Sequence, residues 1–155
     1  MKKIFYLLSM VVAVMTVLSC SNEQEDFFND SSSNRANAEI KNTIKVLSSA
    51  SNGWIMQYFP GDPETWGGYN MLAKFDTEGK VTVANEVSFA DYTETSYYSV
   101  KQSAGVMLAF DTYNKLFHVF SDPSAPLAGD LGSGMEGDYD FSVLSATMDK
   151  VVLKG

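Results

Sequence analysis

The sequence predicts a mainly β, α+β fold: an N-terminal helix packed on an antiparallel β-meander of repeated hairpins. Three observations predict it. Apolar residues recur at helical spacing between Arg35 and Asn52, the pattern changes to strict alternation beyond Gly53, and one turn-bearing segment occurs three times at equal spacing.

The helix is expected over Arg35 to Asn52, with Ile40, Ile44 and Leu47 on one stripe and Glu39, Lys41 and Lys45 off it. Ser33 or Asn34 is suited to cap its start, and Asn52-Gly53 to end it, because a left-handed residue is wanted there. So short a stripe suits packing on a sheet. Trp54–Phe59 then supplies a strand, with Trp54 directed to the core.

The repeated segment reads Phe75-Asp76-Thr77-Glu78-Gly79-Lys80-Val81, then Phe110-Asp111-Thr112-Tyr113-Asn114-Lys115-Leu116, and more weakly Ser145-Ala146-Thr147-Met148-Asp149-Lys150-Val151. Thr77, Thr112 and Thr147 stand 35 residues apart. Each copy places Gly, Asn or Asp just before a lysine, and those residues tolerate the positive φ that closes a hairpin loop. Met71, Ala73 and Phe75 alternate before the first turn, as do Val81 and Val83 after it. The second copy is flanked by Val106, Leu108, Phe110 and by Leu116, His118, Phe120; the third by Phe141, Val143, Ser145 and by Val151, Leu153. Three hairpins are expected, with convergence on turn-forming residues as the alternative to true repetition. Glu86–Phe89 and Thr95–Lys101 read as further short strands, and Gly129–Gly137 as a loop. The chain stops at Gly155, directly after the last expected strand, which would leave an apolar edge. A missing C-terminal part accounts for that, as does a final strand that pairs inward.

Ahead of this single β-rich domain, 35–155, the start of the chain has the order of an export signal. Lys2 and Lys3 precede an apolar run of about fifteen residues, Ile4 to Leu18, which closes on Ser19-Cys20. The run is below the roughly twenty residues that a spanning helix needs. Cleavage after Ser19 would free the thiol of Cys20 for lipidation, giving a signal peptide over 1–19 and a membrane anchor on Cys20. A secretory signal with an incidental cysteine, or an uncleaved anchor helix, are the alternatives. Cys20 is the sole cysteine, so no intramolecular disulfide is available. Residues 20–34, with Ser21-Asn22-Glu23-Gln24-Glu25-Asp26 at their start, read as a disordered acidic tether that reaches up to about 45 Å when extended at roughly 3.3 Å per residue. An acidic run beside the lipidated cysteine resembles the surface-export signal of Bacteroidetes-type lipoproteins, which would place the domain on the cell surface; an acidic linker facing the periplasm is the alternative.

Without Lys2 and Lys3, nine Lys and Arg face nineteen Asp and Glu, a net charge near −10. That disfavours nucleic acid and anionic lipid as partners.

For chemistry the sequence offers little. His118 is the only histidine, and a slot equivalent to Val83 and Leu153 favours a packed core role over a metal or proton-transfer role. One histidine with one committed cysteine makes no zinc site. Asp130, Glu136, Asp138 and Asp140 match no calcium-loop spacing and read as a solvated turn. No nucleophile elbow or phosphate loop occurs, so no catalytic residue and no cofactor are assigned. Aromatic residues are more informative. Tyr58, Trp66 and Tyr69 crowd around a loop stiffened by Pro60 and Pro63 and closed by Gly67-Gly68, and an exposed Trp or Tyr offers a flat face to a sugar ring or a peptide side chain. These three are the candidate ligand-binding residues.

Gly53-Trp54, Tyr58-Phe59-Pro60, Gly67-Gly68-Tyr69-Asn70, Lys74–Val81 and Phe117-His118-Val119-Phe120-Ser121-Asp122-Pro123 together resemble the Bacteroidetes lipoprotein family described as domain of unknown function 4302. The resemblance spans roughly Ile40 to Gly155. It implies a cell-envelope lipoprotein, often of organisms that import glycans through outer-membrane uptake complexes, a longer chain than this one, and no defined activity. On the strength of the aromatic loop, the expected function is a surface binding module for a glycan or peptide, working with outer-membrane uptake proteins. An envelope scaffold is the alternative, with a glycoside hydrolase fragment behind both.

Overall fold

The computed structural model describes residues 30–155; the expected signal peptide, Cys20 and the tether up to residue 29 lie outside the described residues, and the last three residues of the expected tether, 32–34, are helical instead. Helix α1 spans Ser32–Ser49, starting three residues before the sequence expectation. Its buried face is Thr43, Val46 and Leu47, with Ile40 and Ile44 at the margin of the stripe. That face lies mainly on strand β5 and touches β2, β6 and β7, whose ranges follow. Beyond the helix, the Gly53 N–H donates to the carbonyl of Ala50 at 2.9 Å, with Gly53 at φ 81°. A Cβ there would stand 3.0 Å from the carbonyl oxygen of Ala73, so glycine serves both the turn and the close approach. Trp54 Nε1 donates to the Leu47 carbonyl at 2.9 Å, satisfying one of the orphan acceptors of the last helical turn.

Eight strands follow as two four-stranded antiparallel sheets. The first contains β1 (Trp54–Tyr58), β2 (Tyr69–Phe75), β3 (Lys80–Asn85) and β4 (Glu94–Tyr97), in that spatial order. The second contains β5 (Ser99–Gln102), β6 (Val106–Ala109), β7 (Asp140–Ala146) and β8 (Val151–Lys154), also in chain order. Short helices α2 (Pro63–Trp66) and α3 (Lys115–His118) lie in the connections, the latter running into a 3₁₀ turn at Val119–Ser121. A meander with an N-terminal helix is thus the architecture. The expected strand Thr95–Lys101 is divided at Tyr98, where the chain passes from one sheet to the other. Tyr98 is buried, its N–H donates to the Gly79 carbonyl, and its hydroxyl donates to the Asp76 carbonyl at 2.6 Å.

The first and third repeats are hairpins. Asp76 Oδ1 accepts the N–H groups of Glu78 and Lys80, both at 2.8 Å, and Phe75 pairs with Val81. Thr147 does the equivalent work in the third, its Oγ1 accepting from Lys150 N at 3.1 Å, with Ala146 opposite Val151. The second copy is not a hairpin. Asn114 takes an extended conformation (φ −131°, ψ 113°), and its Oδ1 accepts the Leu116 N–H at 3.0 Å, so it caps helix α3 where the sequence predicts a returning strand. Asn114 is fully buried, and its Nδ2 donates to Glu94 O and Ser96 Oγ at 3.2 and 3.1 Å. The local cap and two tertiary bonds together outweigh the preference for a turn. Glu86–Phe89 is likewise a turn and not a strand.

Both sheets bury their inner faces in one core. Met71, Ala73, Phe75, Val81 and Val83 come from the first sheet, Leu108 and Phe141 from the second, and Leu47 from α1. Its centre is aromatic: Phe110 stacks on Phe117 with ring centroids 4.0 Å apart, and Phe141 meets both edge-on. The ion pairs Lys80–Glu78 and Lys101–Asp111 are exposed and contribute little. Packing holds the domain. No described helix is long and apolar enough to cross a membrane.

Candidate functional site

The aromatic loop does not form one open platform. Tyr58 is 3% exposed, its ring lies 5.4 Å from Phe117 and 5.2 Å from Phe120, and its hydroxyl donates to the Asp138 carbonyl at 2.9 Å. Burial first, then the nearby Asp138 charge, raise its pKa well above the ordinary phenol value. Tyr58 is therefore a core residue with no face for a ligand, a correction to the expectation from sequence. Trp66 and Tyr69 are half-buried against the core, Tyr69 with its ring 4.8 Å from Phe120, and each keeps an exposed part. Asp62 fixes the turn between them and Pro60. It accepts from Thr65 Oγ1 at 2.6 Å and from the Glu64 N–H at 3.0 Å, and these bonds lower its pKa.

Next to this loop lies a cleft. Glu86 joins the two, its carboxylate accepting the Asn70 N–H at 2.8 Å and Asn70 Nδ2 at 3.1 Å. The turn that Glu86 begins carries Val87, Ser88, Phe89 and Tyr92, and it faces Lys115, Leu116 and Val119 from the α3 segment and Leu127 from the following loop. Together they enclose a cleft of about 410 Å³, within the size range of small-ligand sites. Phe89 is 86% exposed, an unusual placement for a phenylalanine, and Tyr92 and Leu127 are also exposed. Asn85 ties the two walls together, Nδ2 donating to the Leu116 carbonyl at 2.6 Å, while its buried Oδ1 has no donor.

None of these cleft residues is among the candidate ligand-binding residues of the sequence. Phe89 reads as a strand residue there, and the walls are separated by more than twenty residues. An apolar residue isolated among Ser88, Ala90 and Asp91 is the one available signal.

His118 does not face a sheet interior. It is half-buried at the end of α3, between Tyr113 and Tyr139 at ring distances of 5.2 and 5.0 Å, with Nδ1 3.1 Å from both the N–H and the carbonyl oxygen of Asn114. These contacts give it a packing role. Asp130, Glu136, Asp138 and Asp140 do not converge; among the described residues no three acidic, histidine or cysteine side chains are grouped to hold a metal ion. Met135 from the same loop is instead fully buried, its N–H donating to Phe120 O at 2.9 Å.

A second groove, about 60 Å³, opens between the edge strands β1 and β8, where Trp54, Ile55 and Met56 stand opposite Val151 and Leu153. Neither edge has a further strand beside it among the described residues.

The fold and cleft define a β-rich, two-sheet domain with a surface ligand-sized cavity. The family model described as domain of unknown function (DUF4302) matches residues 24–155, and the chain belongs to that family. No curated protein and no solved structure matches it.

Proposed function

We propose that the chain is a cell-envelope lipoprotein, anchored through Cys20 to the outer membrane with its domain at the cell surface, and that the domain is a binding module for a peptide or glycan linked to nutrient uptake. The ligand enters the cleft beside Phe89 and Tyr92. One observation carries this reading: a largely apolar cavity of about 410 Å³ whose rim displays a phenylalanine that is 86% exposed. An exposed aromatic costs solubility and gives no packing in return, so a ligand that covers it is the physical rationale. Trp66 and Tyr69 supply a second contact for a longer ligand, since the Asn70–Glu86 hydrogen bonds hold their loop to the cleft turn.

Calorimetric titration of the purified chain with a panel of short peptides and oligosaccharides tests the binding. Phe89→Ala is expected to weaken the best ligand about tenfold, and Trp66→Ala to weaken only the longer ones. Unchanged affinity in Phe89→Ala contradicts the cleft. For the anchor, mass spectrometry of protein from its native host should show residues 1–19 removed and acyl groups on Cys20. Retention of the first nineteen residues contradicts it.

A second reading, an interaction scaffold, draws on the two free edges. Strands β1 and β8 offer unpaired backbone groups, and Ile55 of β1 is 72% exposed. The cleft favours the binding module, because it is larger and carries polar groups that orient a ligand.

A further inference from the structure

The cleft has one charged side chain on its walls, and it is a cation. Lys115 lies there among Val87, Phe89, Leu116, Val119 and Leu127, and no aspartate or glutamate lines the cavity. In a chain with nineteen acidic against eleven basic residues, that local sign is opposite to the whole. Neither the Lys80–Glu78 nor the Lys101–Asp111 ion pair involves Lys115. Glu94 meets this residue through the backbone only, Oε2 accepting the Lys115 N–H at 2.8 Å, and so leaves the ammonium free. An ammonium with no ion-pair partner among the described residues, set beside an apolar wall, is complementary to an anion joined to an apolar body. A carboxylate fits better than a phosphate ester here, because one ammonium supplies one charge and no arginine with its guanidinium fork lines these walls.

We infer that the cleft binds a carboxylate that carries an apolar side chain or acyl chain, with Lys115 as counter-ion and Phe89, Tyr92 and Leu127 as the apolar seat. This rests on the cleft being the ligand site proposed above. A peptide C-terminus with an apolar last residue and a medium-chain fatty acid share that chemistry.

The test compares N-acetyl-phenylalanine with its neutral amide, decanoate with decanol, and a neutral oligosaccharide, on the purified chain and on Lys115→Met. Methionine keeps an apolar stem and removes the charge, and Lys115 is exposed, so the variant retains the fold. At low salt each acid, or one of them, is expected to bind at least about threefold more tightly than its neutral partner, a preference that Lys115→Met abolishes and about 0.5 M salt reduces. Which pair shows the preference identifies the source. Equal binding of acid and neutral partner, or a preference that survives in Lys115→Met, overturns the inference. Binding of only the neutral ligands overturns it while leaving the cleft as a site, whereas no binding of any probe removes both.

Discussion

The hydroxyl of Tyr58 donates to the backbone carbonyl of Asp138 across 80 residues of sequence, at 2.9 Å. That bond ties the end of β1 to the segment entering β7, so it joins the two sheets behind the aromatic loop. The loops are in contact there too, since a Cβ on Gly61 would stand 2.6 Å from the Met135 carbonyl oxygen.

Tyr58→Phe should therefore cost about 1 kcal/mol near neutral pH, the net worth of one such hydrogen bond. It should also change the alkaline limb of stability. Because the folded phenol is raised above its unfolded value near 10, its contribution is complete below that value and declines as pH rises from there toward the folded pKa. Urea unfolding between about pH 7 and pH 11 should show the natural chain losing stability more steeply than the phenylalanine variant. Parallel profiles would contradict the assignment.

Asn114 is the second test of the fold. Removing its side chain deletes the cap on Leu116 and the bonds to Glu94 and Ser96 from a fully buried place. Asn114→Ala should destabilise by about 2–3 kcal/mol in denaturant unfolding. A hairpin turn at this position would tolerate the change, so a loss below about 0.5 kcal/mol would argue for the hairpin.

Much of this architecture was legible in the residues. Helix α1 and hairpins β2–β3 and β7–β8 follow from local signals, since Asp76 and Gly79 or Thr147 close their turns without help from elsewhere. The second repeat was not legible because Leu116, Phe117 and Phe120 suit a helical face as well as Leu116, His118 and Phe120 suit a strand. Asn114 decides between them through Glu94 and Ser96, and no local pattern reveals those partners. Tyr58 looked like part of an exposed aromatic group, yet Phe117, Phe120 and Phe141 enclose it from distant positions. The cleft was illegible for the same reason: its walls come from Asn85–Tyr92 and from Lys115–Leu127, and only the fold brings them together.

The exposed Phe89 and the cavity behind it are the centre of the functional account. Amide chemical-shift mapping of the ¹⁵N-labelled chain, titrated with the tightest-binding peptide or oligosaccharide, tests that centre most directly. The account predicts perturbations concentrated on Val87–Tyr92, Lys115–Val119 and Leu127. Shifts confined to Trp66–Tyr69, or to the β1 and β8 edges, would contradict it.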